Sequence, residues 1–242
     1  MSIATADSAL GTVAPERRDA DRLRWARFLP ATGAEGPGVR AALWLQGCAI
    51  RCPGCFNPQL WAHRGGTVEQ AADAADRFAE AALHAGAEGL TLLGGEPFDQ
   101  AGAAAHVAEA FRARGLTVMT FTGHPYELLA DWAAERADIA ALLAATDLLA
   151  DGPYLRERPD PRRPWIGSTN QGLRALTPAY AELVHDIEVR GGTDRVEVRI
   201  SRDGSVAVNG WASDEALADL LDDLGRPVRR AMDDTMDKEN AR

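Results

Sequence analysis

AALWLQGCAIRCPGC, residues 41–55, is an apolar run that stops at a glycine and leads directly into all three cysteines of the chain, Cys48, Cys52 and Cys55. A run of this length with so sharp an end predicts a buried strand. The same form recurs in GLTLLGG (89–95), LTVMTF (116–121) and DLLAD (147–151). Between these runs the apolar residues fall at helical spacing. Thr67 and Gln70 read as a capping box, followed by Val68, Ala71, Ala75, Phe78 and Ala82 up to Gly86. A second helix is expected through Val107 and Phe111 to Gly115, and a third opening at Pro125 with Leu128, Leu129 and Trp132.

Strands alternating with helices predict right-handed crossovers and a mostly parallel α/β sheet. In such sheets chemistry gathers beyond the carboxyl ends of the strands. The four loops there are GCAIRCPGC, GGEP (94–97), TGHP (122–125) and DGPY (151–154), so they are expected to converge on one rim. Further on, RVEVRI and SVAVNG flank Asp203-Gly204 and predict a β-hairpin, and Leu217 to Leu224 a closing helix.

Length and composition set the outer limits. A chain of 242 residues, 46% hydrophobic and 26% charged, fits one globular domain, expected over residues 21–227 between an unstructured tail at 1–20 and a charged tail at 228–242. No apolar run approaches the roughly 20 residues that cross a bilayer, so no membrane partner is expected. The first residues carry no basic start followed by an apolar core, which predicts a cytoplasmic chain with reduced thiols. A net charge of −10 argues against nucleic acid as a partner. The basic cluster Arg156, Arg158, Arg162 and Arg163 is broken by three prolines and reads as a solvated loop. The sequence contains no Ser-His-Asp set, P-loop or pair of carboxylates that calls for a separate role.

Three thiolates at C-x3-C-x2-C can hold a metal centre and leave one position unfilled. Four-iron clusters normally take four cysteines, so three ligands leave one iron open. On spacing alone a Cys3His zinc site, with His63 as the fourth ligand, remains open as well. The histidines at 84, 106, 124 and 185 read as ordinary surface or core residues.

C-x3-C-x2-C after one strand together with Gly94-Gly95-Glu96-Pro97 after the next resembles the radical S-adenosylmethionine superfamily. GPGVR (36–40), CPGCFNPQLW (52–61), LLGGEPFDQ (92–100), ADGPY (150–154) and GSTNQ (167–171) are similar, in order, to segments of anaerobic ribonucleotide reductase activating enzymes and their pyruvate formate-lyase relatives. The resemblance implies an incomplete, six-stranded parallel (β/α) barrel, with two strands from beyond residue 172, followed by the hairpin and helix. It implies a [4Fe-4S] cluster on Cys48, Cys52 and Cys55, and S-adenosylmethionine bound near Gly54, Phe56, Gly94, Gly95, Glu96, Pro97 and Asp151. The implied activity is reductive cleavage of S-adenosylmethionine to a 5′-deoxyadenosyl radical that takes hydrogen from a glycine of a partner glycyl-radical enzyme. A flavodoxin or ferredoxin would donate the electron. A small-molecule or peptide substrate is the alternative, because Gly172 stands where relatives carry Arg and the chain continues for about 70 residues beyond. The remote alternative is a zinc-stabilised interaction module without catalysis.

Overall fold

The computed structural model describes residues 14–16, 18–200, 203–204, 206–210, 218–220 and 222. Most of both expected tails lies outside them. The chain groups into Met1–Trp211 and Ala212–Arg242. In the second part residues 218–220 and 222 are helical, and the rest of the expected closing helix lies outside the described residues.

Seven strands form one mixed sheet. In chain order they are β1 (Arg22–Thr32), β2 (Arg40–Leu45), β3 (Thr67–Gln70), β4 (Gly89–Gly94), β5 (Thr117–Phe121), β6 (Leu148–Asp151) and β7 (Gly172–Ala175), arranged β3-β1-β2-β4-β5-β6-β7. The central four, β2, β4, β5 and β6, are parallel, as the four apolar runs predict. Helices α1 (Ala71–His84), α2 (Ala101–Arg112), α3 (Tyr126–Ala133) and α4 (Ala137–Ala145) supply the crossovers, and α5 (Ala181–Arg190) follows β7. The hairpin prediction holds: β8 (Val196–Ile200) pairs antiparallel with β9 (Val206–Gly210).

The six-stranded parallel barrel is not what forms. The parallel run stops at four strands, and β1 and β7 flank it antiparallel. The reason is local. Residues 153–171 contain no helix to carry the chain back across the sheet, so β7 returns directly beside β6, and a direct return is antiparallel. The capping box at Thr67 is likewise corrected. Thr67–Gln70 pairs with Trp25–Arg22, and α1 begins one residue later from Gln70, whose side chain makes no cap bond. Strand pairing over a sequence gap of about 40 residues overrides the local signal. The other end of α1 behaves as read: Gly86 at φ +74° lets its own N–H reach Leu83 O and that of Ala87 reach Ala82 O, a Schellman closure.

Alternation along the parallel strands divides the core. Leu43, Leu45, Leu90, Leu92, Val118 and Leu149 face the helices. Trp44 and Leu93 face the opposite side, as do Met119, Leu148 and Ala150 farther along the sheet. At the amino ends of the strands Arg40 is fully buried, and burial pushes its guanidinium below the ordinary range. It donates to Thr91 Oγ1, Leu90 O, Thr117 O, Thr117 Oγ1 and Tyr180 Oη, tying β2, β4 and β5 together. Among the described residues no helix is long and apolar enough to cross a membrane.

Replacing Arg40 with Leu removes five donors from buried acceptors, and the expected loss of stability is about 3 kcal/mol. Urea unfolding of the metal-free chain measures it; a loss under roughly 1 kcal/mol would mean that water replaces these bonds.

Candidate functional site

The cysteine loop is a closed excursion from the end of β2. Its base is fastened by Gly47 N–H to Leu60 O (2.8 Å), Cys48 N–H to Trp61 O (3.1 Å) and the Gln46 amide to Ala62 O (2.7 Å). Inside it the chain turns sharply enough to need left-handed backbone at Arg51 (φ +54°) and Gly54 (φ +82°). Cys55 N–H donates to Cys52 O, and Asn57 N–H approaches Cys55 Sγ at 3.4 Å. The three thiols are free and half-buried.

Burial, and next the charge of Glu96, pushes the Cys48 thiol up to about 12. The N–H groups of Ile50 and Arg51 work against that shift by donating to its sulfur. Burial raises the Cys52 thiol too, opposed by the Tyr154 N–H. Unmetallated, Cys48 and Cys52 are therefore protonated at neutral pH, and their sulfurs already have backbone donors aimed at them. Such N–H···S contacts are what tune a cysteine-bound iron–sulfur centre.

GGEP lies directly against the root of this loop. Gly95 N–H donates to Leu45 O and Glu96 N–H to Gly47 O, both at 2.8 Å. A Cβ on Gly95 would stand 2.2 Å from Gly47 O, and one on Gly94 2.7 Å from Trp44 Cα. The glycines are required here because two backbones touch. Glu96 is 1% exposed. Its Oε1 accepts from Phe98 N–H and Thr122 Oγ1, and its Oε2 from Gly123 N–H, each at 2.9 Å. The carboxylate thus ties the loop after β4 to the loop after β5. Asp99 makes a second tie, accepting Ala49 N–H at 2.8 Å, and burial followed by the charge of Glu96 raises it to about 6.

All four loops meet at a cavity of about 280 Å³. Of the residues expected in the site, Cys48, Cys52, Cys55, Phe56, Gly94, Gly95 and Glu96 line it. Gly54, Pro97 and Asp151 do not. Pro97 is buried at the start of the turn into α2, and a Cβ on Gly54 would face Arg156. Asp151 accepts Tyr126 N–H at the start of α3 and Arg174 Nε at 2.8 Å. His63 does not line this cavity. Its ring packs on Gly47, its Nε2 is 3.8 Å from Asp99 Oδ2, and it lines a different cavity. Burial, then Arg18, holds its imidazole below the ordinary range.

Several lining residues carry no signal in the sequence. Trp44, Leu93 and Phe121 are sheet residues on the face away from the helices. Trp61 offers a buried indole N–H with no partner among the described residues. Tyr154 stands 5.5 Å from Phe56, ring to ring. GSTNQ acts as a staple: Gln171 Oε1 accepts from Gly167 N–H, Ser168 N–H and Ser168 Oγ, while its amide donates to Gly152 O. Glu35 and Asp194 complete the far wall with Gly210. Glu35 accepts the Gly210 N–H and Asp194 the Trp165 N–H, and burial raises both carboxyls.

Three cysteines on one loop, closed on a glycine turn at the ends of parallel strands, are a ligand set that an iron–sulfur cluster can use. The chain belongs to the 4Fe-4S single cluster domain family, whose model matches residues 34–174. It is similar to proteins named anaerobic ribonucleoside-triphosphate reductase-activating protein. That of Vibrio cholerae is 28% identical over 162 residues, covering 64% of this chain and 99% of the relative. Those of bacteriophage T4 (28% over 164 residues; 64% and 96%) and Escherichia coli K12 (25% over 161 residues; 64% and 99%) are alike in extent.

Gly95→Ala sets a methyl against Gly47 O, and Glu96→Ala leaves two backbone N–H groups and a threonine hydroxyl without their acceptor. Each is expected to cost about 1–3 kcal/mol in the metal-free chain. Denaturant melts give the values; a Gly95→Ala variant as stable as the parent would show that the two backbones are not in contact.

Proposed function

We propose that this chain is a radical S-adenosylmethionine enzyme of the glycyl-radical activating type, in which Cys48, Cys52 and Cys55 hold a [4Fe-4S] cluster and the adjoining cavity holds S-adenosylmethionine. With both bound, the pair would supply one-electron reductive cleavage of the sulfonium, the chemistry by which hydrogen would be taken from a glycine of a partner enzyme. One observation carries the reading: the three thiols and Gly94, Gly95 and Glu96 line a single cavity in a chain of the 4Fe-4S single cluster domain family. The likeness to reductase-activating proteins supports a partner enzyme as the substrate.

The residues present fit both groups. The three cysteines of one loop line the cavity together, and a cluster would give each its own iron. Gly94 and Gly95 bring bare backbone to the cavity wall. Glu96 Oε2 accepts one bond from the protein and has capacity for an ammonium donor. The Trp61 N–H offers a donor, and Phe56 and Tyr154 offer aromatic faces. Trp44, Ile50, Leu93 and Phe121 give the cavity an apolar wall.

One observation favours the second reading, a small-molecule or peptide substrate. Asp194 and Gly210 come from beyond the family match, and they wall the cavity.

Anaerobic reconstitution should yield about four irons and four sulfides per chain, the content of one such cluster. Alanine at any one of Cys48, Cys52 or Cys55 should abolish both retention and S-adenosylmethionine cleavage. Mixed with an anaerobic ribonucleotide reductase from the same genome, the loaded protein should produce a glycyl radical in electron paramagnetic resonance. Cleavage without a glycyl radical in any candidate partner would favour the second reading, and one zinc without sulfide would sink both.

A further inference from the structure

A second cavity, of about 250 Å³, shares no residue with the first and adjoins the cysteine loop from its base. Arg18, Arg22 and Arg24 line it together with Asp19, Gln46 and His63. The loop is close: a Cβ on Gly47 would stand 2.3 Å from His63 Nδ1, and Gly47 is covalently joined to Cys48. Gln46 is held by its bond to Ala62 O, and Arg24 donates to Gly65 O, so the wall of this cavity is the same backbone that fastens the cysteine loop.

The charge is unusual for this chain. Overall it carries −10, whereas here three guanidinium groups face one carboxylate, Asp19, which accepts the Asp21 N–H. Among the described residues none of the three arginines forms an ion pair within 4 Å; besides Arg18, the charges of Asp99, Arg51 and Glu16 act on His63. Arg18 and Arg22 are exposed. A negatively charged body repels acidic proteins in general and accepts them where positive charge is concentrated, so such a place selects both partner and orientation.

The proposed chemistry consumes an electron that must come from outside the chain. We propose that the arginine-lined cavity is the docking point of an acidic one-electron carrier protein, which reaches the cysteine loop from its base while the first cavity remains filled. The inference rests on the cluster reading above. The carrier is oxidised by one electron and the cluster is reduced by one; no bond forms or breaks in this step.

The test uses reduced flavodoxin as the carrier and dithionite as a small reductant, with bleaching of the reconstituted protein followed by stopped flow. Arg18→Glu combined with Arg22→Glu is expected to slow reduction by limiting flavodoxin about tenfold or more, and to leave the dithionite rate unchanged. Raising salt from roughly 0.05 to 0.3 M should slow the parent and not the variant. Titration of flavodoxin onto the metal-free chain should show a parallel loss of affinity. Equal flavodoxin rates in parent and variant, salt-insensitive binding, or a variant that loses affinity for the reductase partner instead would overturn the proposal. A preparation that dithionite does not bleach would count against the cluster reading, and the metal-free titration would still decide the docking.

Discussion

The contact between two glycine backbones, Gly47 and Gly95, is the constraint on which the site depends. Parallel pairing of β2 with β4 brings the strand ends level, and the pairing continues past the last side chains through Gly95 N–H to Leu45 O and Glu96 N–H to Gly47 O. The cysteine loop therefore starts from a fixed point. Everything beyond it is oriented by short polar ties: Glu96 to the loop after β5, Asp99 to Ala49, and Gln171 to the loop after β6. Buried carboxylates and amides of this kind hold geometry because each would cost free energy if left unpaired.

The thiols illustrate what such fixing achieves. Burial disfavours the thiolate at Cys48 and Cys52, and four backbone N–H groups favour it. The protein alone does not ionise these sulfurs. It supplies donors in advance, so that the positive charge of a metal centre completes the balance. Pre-placed donors need little reorganisation when the charge arrives, which is the general advantage of a rigid site over a mobile one.

Elements legible in the sequence are those in which local pattern and tertiary environment agree. β2, β4, β5 and β6 are short apolar runs because both of their faces are covered, one by helices and the other by the cavity wall. The cysteines and GGEP declare themselves by spacing. β1 is not legible: RLRWARFLPAT mixes arginines with apolar residues because it lies between two antiparallel neighbours near the sheet margin, with irregular register after Trp25 and Leu29. β3 carries a helix-start signal and becomes a strand through pairing with β1. Asp151 shows the same limit at the level of the site. An Asp-Gly after a strand is compatible with several roles, and the bond to Tyr126 N–H is set by the fold rather than by the local sequence. Asp194 and Gly210 lie 159 and 175 positions beyond Glu35 in the chain, and the three meet only through folding.

That last meeting divides the cavity by ancestry as well as by position. The cysteine side lies wholly within residues 34–174, the portion common to the family, and the far wall includes residues that follow it. Fastened through backbone N–H groups rather than through side chains of the cysteine loop, the far wall can be recast by insertion or substitution while the cysteine side keeps its register. A constant engine with an exchangeable face is one way for a small scaffold to acquire new partners without relearning its chemistry.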